Sequence, residues 1–244
     1  MASVVTVRGG LRYMRNLARL CAGQSVFVSN KVALDHVVLG SEYCKWPLVP
    51  VLTSNRSIVY SFGVGQDITF DLAAIERFRC HVYAFDPTPR SIRWVRSEIT
   101  PAELHFCEFG IGARPDKLLF YPPSSDTNVS YTVSPRQRSN GDAVAAEVLD
   151  LRSILCRLKH GSVDILKMDI EGAEYAVIET LAQQGSLPGQ LMVEFHHGMY
   201  GYTAKNTKQA LDRLRQDGYY PYYVSDTWRE FGFVHRDSVG RCVS

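Results

Sequence analysis

The feature that most constrains the fold is an apolar strand that ends on acidic residues and leads directly into a helix. Residues 163–168 are apolar except for Asp164 and Lys167 and predict a buried strand, while residues 174–181 carry apolar side chains at helical spacing. In an open parallel sheet, ligands bind where the carboxyl ends of the strands meet the helices that follow. Asp169, Glu171 and Glu174 lie at this junction, so we expect them to gather at one ligand site.

Three carboxylates at the end of one strand repel one another, and a cation is therefore expected beside them. Lys167, a metal ion or a charged ligand would meet that need. We predict that Lys167, Glu171 and Glu174 contact the substrate. The alternative for Glu171 and Glu174 is that they only favour a helix N-terminus, where the helix dipole stabilises negative charge.

Strand and helix patterns alternate along most of the chain, which is typical of an α/β fold with a doubly wound sheet. The predicted strands cover residues 58–62, 81–85, 104–107, 163–168 and 190–195, and the last two, residues 219–224 and 230–235, form a hairpin. Strand–helix units that end in an antiparallel hairpin indicate a mostly parallel, Rossmann-like sheet of the class I methyltransferase type. A dinucleotide-binding sheet would continue as parallel units.

The same pattern divides the chain into an N-terminal helical extension, residues 1–50, and an α/β domain, residues 51–244, whose order of strands resembles a methyltransferase domain. Residues 1–34 contain basic residues but no acid, which resembles an organellar transit peptide in charge. We favour instead a basic helix that packs on the domain or on a neighbouring subunit. Residues 122–142 predict a surface loop, and with residues 196–206 this loop is expected to set acceptor specificity.

The composition excludes several classes of protein. The chain has 244 residues, of which 45% are apolar and 21% charged, as is ordinary for a globular domain. A net charge of +2 gives no basis for a nucleic-acid surface, and no apolar stretch is long enough to span a membrane. The six cysteines are scattered without a C-x-x-C pair, so we expect no zinc site and a cytoplasmic, reducing location.

A glycine turn follows the first predicted strand. Gly63 and Gly65 allow a tight turn and the close approach of a ligand to the backbone. The third glycine of the dinucleotide fingerprint is replaced by Ile68, so an ordinary strand–helix turn is the alternative. Asp67 would repel a pyrophosphate but attract a cationic amino acid group such as that of S-adenosylmethionine.

Asp86, at the end of the second strand, lies about 20 residues beyond the glycine turn, the spacing at which a carboxylate binds both ribose hydroxyls. We assign Asp86 and Thr88 to the cofactor, and the alternative is that they only cap the helix that follows. Glu108 and Phe109 follow the third strand and are expected beside the adenine.

A second functional group follows the neighbouring strand and should lie beside Asp169. Glu194, His196 and His197 combine carboxylates with imidazoles, and a histidine is suited to take a hydroxyl proton near neutral pH. We assign His196, Asp169, Glu194 and His197 to catalysis, with His196 preferred as the base, and Asp169 also to the cofactor. No metal ligand is assigned, although carboxylates and imidazoles at this position would hold a divalent ion. The alternative is that the two histidines are half-buried structural residues or cap a helix.

Four segments together resemble the FkbM-type methyltransferases, and they are Tyr60–Gly65, Ala84–Pro89, Leu166–Glu174 and Val193–His197. The resemblance covers roughly residues 55–235, and its most specific part is the Lys-x-Asp-x-Glu-Gly-x-Glu run. It implies a Rossmann-like fold, S-adenosylmethionine as the cofactor, and O-methylation of a sugar or natural-product hydroxyl. The expected partner is therefore a small-molecule or carbohydrate acceptor.

The chain departs from the family at the glycine turn, where Ser61 stands at a position usually held by Asp. This departure motivates one alternative, a non-catalytic relative that binds the cofactor and acts as an interaction module. Another alternative is a metal-dependent hydrolase built on Asp169, Glu194 and His196, which gives no account of the glycine turn.

Overall fold

The structure is a computed structural model that describes residues 7–28, 31–122, 131–133, 142–185 and 187–240, with side chains from residue 13 onward. The strands within these residues are β1 Val37–Leu39, β2 Trp46–Leu48, β3 Ile58–Phe62, β4 His81–Phe85, β5 Leu104–Cys107, β6 Gly110–Ile111, β7 Asp116–Phe120, β8 Val144–Leu149, β9 Ile165–Met168, β10 Gln190–Glu194, β11 Tyr219–Val224 and β12 Glu230–His235. The α-helices within them are α1 Val7–Cys21, α2 Thr69–Phe78, α3 Pro89–Ser97, α4 Leu151–Leu158, α5 Glu174–Leu181, α6 Ala204–Gln216 and α7 Arg236–Val239.

Seven strands form the main sheet in the order β11-β12-β10-β9-β3-β4-β5. The pairs β10–β9, β9–β3, β3–β4 and β4–β5 are parallel, and β12 is antiparallel to both of its neighbours. The predicted mostly parallel sheet with a terminal hairpin is confirmed. The chain order reverses between β3 and β9, and ligands bind at such a point in open α/β sheets.

Helices cover both faces of the sheet, which explains why its central strands are apolar on both sides. Tyr60 and Phe62 of β3 pack in a core cluster with residues of α4, α5 and α6. Val59, on the opposite face of the same strand, packs in a second cluster with residues of α2 and α3. The side chains of β3 therefore alternate between two separate core layers, one on each face of the sheet.

A second sheet follows β5 and has the order β6-β8-β7. In this sheet β7 and β8 pair antiparallel from Asp116–Val148 to Phe120–Val144. Most of the predicted loop between them, residues 123–130 and 134–141, lies outside the described residues.

The N-terminal extension is helical only in part. Helix α1 is confirmed, but the helical prediction is wrong for residues 37–48, which form the antiparallel pair β1–β2. Trp46 and Leu48 are fully buried, and the Tyr222 hydroxyl donates to the Pro47 carbonyl oxygen at 3.1 Å. These long-range contacts with the main sheet hold the segment extended. The division of the chain at residue 50 stays a prediction.

Helix α6 begins at Ala204, directly after Thr203. Thr203 and Asn206 form a capping box, in which the Thr203 amide donates to the Asn206 side chain at 2.9 Å. This local pair satisfies backbone donors at the helix start and extends the first turn. Within the described residues, no helix combines the length and the apolar character needed to cross a membrane.

Candidate active site

The glycine turn brings the ends of three strands together. Gly63 has φ +79°, and a Cβ atom there would lie 1.6 Å from the Asp169 carbonyl oxygen. The Gly63 amide donates to the Phe85 carbonyl oxygen and the Asp169 amide donates to that of Phe62, both at 3.1 Å. Only glycine fits this close approach, so the turn joins the ends of β3, β4 and β9.

Asp86 is buried and hydrogen-bonded at both carboxylate oxygens. Its Oδ2 accepts from the Gly65 amide at 2.9 Å, and its Oδ1 accepts from the Thr88 amide at 2.9 Å and the Thr88 hydroxyl at 2.6 Å. Burial raises the pKa of Asp86 although these bonds oppose the shift. Asp86 therefore links the glycine turn to the start of α3, and it also lines the cavity described below.

Asp67 is held by a different set of donors. The Thr69 amide and hydroxyl donate to its Oδ1 at 2.8 and 2.5 Å, and the Ser41 hydroxyl donates to its Oδ2 at 2.6 Å. Burial raises the pKa of Asp67, but the bonds from Ser41 and Thr69 outweigh it and leave the pKa below its ordinary value. Asp67 is therefore a carboxylate at neutral pH.

A cavity of about 920 Å³ lies over the carboxyl ends of β3, β4 and β9. Its walls contain seven of the predicted site residues, and these are Gly63, Gly65, Asp67, Asp86, Thr88, Asp169 and Glu171. The opposite wall is largely apolar and comes from the small sheet and α5, with Ile111, Leu118, Phe120, Val148 and Ala176. One cavity thus joins the glycine turn to the acidic strand end.

The predicted adenine contacts, Glu108 and Phe109, are wrong in this structure. Glu108 forms an ion pair with Arg96 at 2.5 Å outside the cavity, and Phe109 packs in the core against Phe85. The chain turns into β6 at this point, so residues 110–113 form the cavity wall instead. The end of β5 therefore borders the cavity through residues 110–113 rather than through Glu108 and Phe109.

Three carboxylates converge on one imidazole. His196 Nε2 lies 3.3 Å from Glu171 Oε2, 3.6 Å from Asp169 Oδ1 and 3.9 Å from Glu194 Oε1. The register of β9 against β10 pairs Met168 with Val193, which sets the residues that follow each strand side by side. Asp169, Glu171, Glu194 and His196, here called the His196 cluster, are therefore brought together as predicted.

Glu174 contacts His196 from the interior of the protein. It is fully buried, its Oε1 accepts from the His196 amide at 2.9 Å and pairs with Nδ1 at 3.1 Å, and its Oε2 accepts from the Gly172 amide at 2.8 Å. The prediction that Glu174 contacts the substrate is therefore wrong, because both oxygens are engaged inside the protein. Its role is to fix the ring of His196 and the turn at Gly172.

The charges of the His196 cluster shift one another's pKa values. Burial lowers the pKa of His196, but Glu174, Glu171 and Glu194 outweigh it and raise the value to about 10. Burial raises the pKa of Asp169 to about 6 against the opposing effect of Lys167 and His196. Burial and the neighbouring carboxylates also raise the pKa of Glu194. In the protein alone, His196 is thus a cation rather than the free base that the sequence suggested.

The structure separates two predicted residues from the cavity. Lys167 is buried, with Nζ 3.4 Å from the carbonyl oxygens of Phe62 and Gly63 and 5.0 Å from the Trp46 ring centre. It supports the glycine turn from behind, so the predicted contact with substrate is wrong. His197 is buried beside Thr207, at 3.3 Å, and is not in the His196 cluster, which corrects its assignment to catalysis.

Three tyrosines of the site were not assigned from the sequence. The Tyr200 hydroxyl donates to Glu171, and Tyr43 and Tyr202 line the large cavity. Glu171 itself has φ +52°, an unusual value for a residue other than glycine. Tyr200 and Tyr202 follow His196 closely in the chain, and this proximity was the signal available in the sequence.

Comparison with known proteins identifies the family. The methyltransferase FkbM domain family matches residues 57–221, which is more than half of the chain. Two relatives named "Probable methyltransferase-like protein 24", from Rattus norvegicus and Homo sapiens, are each 26% identical over 172 residues, covering 70% of this chain and 41% of theirs. The chain thus spans less than half the length of these relatives.

Two solved structures align with part of this chain. The methyltransferase FkbM of Methylobacillus flagellatus KT has a TM-score of 0.46 and 12% identity, covering 75% of this chain and 44% of that one. The fibrillarin pre-rRNA processing protein of Methanococcus jannaschii has a TM-score of 0.46 and 11% identity, covering 87% of each chain. The family match confirms the resemblance seen in the sequence and, with it, a methyltransferase domain that uses S-adenosylmethionine. The chain belongs to the FkbM methyltransferase family.

Proposed function

We propose that the chain transfers a methyl group from S-adenosylmethionine to a hydroxyl group of a sugar or another small acceptor. The observation that carries this proposal is the position of Asp169 between two cavities. It lines the large cavity and also a second one of about 200 Å³, whose walls include Glu194, Tyr223 and Glu230. A donor in the first cavity and an acceptor in the second would meet at Asp169.

The large cavity offers what the cofactor needs. Gly63 and Gly65 expose backbone without side chains, and the ionised Asp67 suits the cationic amino group of the methionine part. Asp86 already accepts three hydrogen bonds, and a carboxylate has about four acceptor sites, so one remains for a ribose hydroxyl. This revises the bidentate contact expected from the sequence to a single bond. Ile111 offers an apolar surface to the adenine.

When bound, S-adenosylmethionine supplies a methyl group on a positively charged sulfur that an oxygen nucleophile attacks in line. The protein's task is to position the acceptor hydroxyl and to remove its proton. Asp169 and Glu194 are the carboxylates of the His196 cluster that border the second cavity, and we assign proton removal to this pair. His196 lies between them, offsets their charge and holds their orientation.

The second cavity favours a hydroxylated acceptor. Ser225, Thr227 and Glu230 line it with hydroxyl and carboxylate oxygens, and the Ser225 and Thr227 hydroxyls both contact Glu230. The aromatic ring of Tyr223 lies in the same wall. Oxygen donors and acceptors beside an aromatic surface match the alternating polar edge and apolar face of a sugar.

We also place the protein in the cytoplasm. In the described part of the chain, the cysteines Cys21, Cys44, Cys80, Cys107 and Cys156 are free thiols, which is the usual state in a reducing compartment. Fluorescence microscopy of the tagged full chain tests this placement, and labelling confined to the secretory pathway would contradict it.

The cheapest test is calorimetric titration of the full chain with S-adenosylhomocysteine, the demethylated cofactor. We expect saturable binding at one site, and no heat at millimolar ligand from folded protein would refute the proposal. A panel of sugars and hydroxylated natural products is then incubated with S-adenosylmethionine and analysed by mass spectrometry for a gained methyl group. Cofactor binding without methylation of any acceptor would favour the interaction-module alternative.

A further inference from the structure

The His196 cluster has the form of a metal site. The side chain of His196 is only 3% exposed, and its Nδ1 atom pairs with Glu174 Oε1 at 3.1 Å. Its other ring nitrogen, Nε2, makes no hydrogen bond to a described residue, yet three carboxylates from two strand ends converge on it. A carboxylate that fixes a histidine through one nitrogen and leaves the other free is the usual support of a metal-binding histidine.

The charges of the site call for a further cation. Asp169, Glu171, Glu174 and Glu194 all have an oxygen within 4 Å of the His196 ring nitrogens, and Lys167 is the other nearby cation. In their ionised forms these four acids would exceed the charges of His196 and Lys167 by two. Buried carboxylates without compensation are costly, so a bound cation would stabilise this arrangement.

We propose that Asp169, Glu171 and His196 bind one divalent metal ion, with Glu194 at the edge of the same site. Their ligand atoms all lie within 4.8 Å of one another. Two ligands at about 2.2 Å from one ion and at a right angle to each other are about 3.1 Å apart. The distances of 3.3 and 3.6 Å from Nε2 to Glu171 and Asp169 are close to that spacing.

The donor set indicates the class of ion. Carboxylate oxygens with a single imidazole and no thiolate suit a hard or borderline ion such as Mn²⁺ or Mg²⁺ rather than Cu⁺ or a closed zinc site. Asp169 lines both cavities, so an ion held there would have coordination positions open to ligands from either one. On the proposed function, on which this part alone rests, the ion would bind the acceptor hydroxyl and acidify it.

Manganese is the probe, because its paramagnetism reports on its ligands. The full chain, freed of metal with a chelator, is titrated with MnCl₂ without cofactor or acceptor, and bound ion is counted by electron paramagnetic resonance. We expect one Mn²⁺ per chain, with spin-echo modulation from one imidazole nitrogen. Glu171→Gln should weaken binding more than about 100-fold, since even residues that only support a metal ligand contribute 10–100-fold.

Two matched variants show whether the effect is local. Glu230→Gln removes a nearby acid whose carboxylate is occupied by Ser225 and Thr227. Because Glu230 is not one of the proposed metal ligands, this variant should leave Mn²⁺ affinity within about threefold. His81→Ala breaks a separate histidine pair, in which His81 Nδ1 lies 3.4 Å from His105 Nε2, and it should also leave the binding unchanged. Thermal unfolding of every variant verifies that each is folded.

Three outcomes overturn the metal site. They are no Mn²⁺ bound by the wild type at millimolar concentration, binding that Glu171→Gln retains, and binding that His81→Ala abolishes. If S-adenosylhomocysteine binds while Mn²⁺ does not, the charge is balanced without a resident metal, and the metal inference alone fails. If Mn²⁺ binds while S-adenosylhomocysteine does not, the metal site stands and the proposed function fails.

Discussion

The carboxylates at the two ends of the active-site region have different kinds of partner. On the cofactor side, Asp67 and Asp86 are each bound by backbone amides and hydroxyls, which come from threonines two residues further along the chain and from the more distant Ser41 and Gly65. On the acceptor side, Asp169 and Glu194 have no such donors among the described residues and instead face His196. A neutral donor stabilises mainly the one carboxylate that it contacts. A charged imidazole interacts with several carboxylates at once, so the charge of each of these residues depends on the others.

This difference has a consequence for mutations. A change on the cofactor side should affect only the donors of the acid that is changed, because each acid has its own donors. A change on the acceptor side should disturb several residues together, because the charges compensate one another across β9 and β10.

Asp169→Asn should have the largest effect on activity. Loss of the charge at the junction of the two cavities should reduce turnover by roughly 10²–10⁴-fold, the range for a lost acid–base group. The measurement is the methylation rate on the acceptor found by screening, with S-adenosylhomocysteine affinity measured beside it. Unchanged turnover would show that Asp169 is not at the reacting centre.

Glu174→Ala should have the largest effect on stability. The change leaves the His196 ring and the amides of Gly172 and His196 buried without an acceptor, and removing one partner of a buried charged pair typically costs about 3–5 kcal/mol. Urea unfolding gives the free energy of unfolding, and Glu174→Gln is the matched control that retains one acceptor oxygen. Equal destabilisation by both variants would mean that shape, rather than hydrogen bonding, is what Glu174 provides.

Gly63→Ala should disrupt the turn that joins the two sides. Positive φ alone costs about 1–3 kcal/mol for a residue with a Cβ atom, and here that atom would also overlap the Asp169 carbonyl oxygen. Gly198→Ala is the control, because Gly198 has φ +80° with no atom within 4 Å of the added Cβ. We expect Gly63→Ala to lower both unfolding free energy and cofactor affinity more than Gly198→Ala. Similar losses in the two variants would contradict the close approach.

Asp86→Ala should weaken cofactor binding without disturbing the acceptor side. Removing a hydrogen bond to a charged acceptor costs about 1.5–3 kcal/mol, which is roughly a 10–100-fold loss of S-adenosylhomocysteine affinity by calorimetry. Mn²⁺ affinity should be unchanged, since no contact joins Asp86 to the His196 cluster. Unchanged cofactor affinity would remove Asp86 from the ribose site.

The smallest effect concerns the pH dependence of cofactor binding. The ionised carboxylate of Asp86 is the better acceptor for ribose, so affinity should fall as the pH falls through the pKa of Asp86. Because burial raises that pKa, the loss should begin above the range of an ordinary aspartate. Calorimetry at a series of pH values measures it, and Asp86→Asn should abolish this part of the dependence. Asp67 cannot cause the same loss, because its pKa is lowered.

Sequence reasoning predicted the fold well because its signals are local and repeated. The apolar strands, the helical spacing and the terminal hairpin are confirmed by β3, β4, β5, β9, β10 and the β11–β12 pair. It failed at residues 37–48, where an extended segment is held by burial of Trp46 and Leu48 against the sheet. Contacts between residues far apart in the chain decide such segments, and a local pattern does not contain them.

The sequence by itself determined which strand ends carry functional groups, because parallel strands place their carboxyl ends at one edge. It did not determine which way each side chain faces. Tertiary structure alone turned Lys167 behind the glycine turn and buried Glu174 beneath His196. It also set three carboxylates around His196 Nε2, because the register of β9 and β10 fixes the spacing of charges between strands.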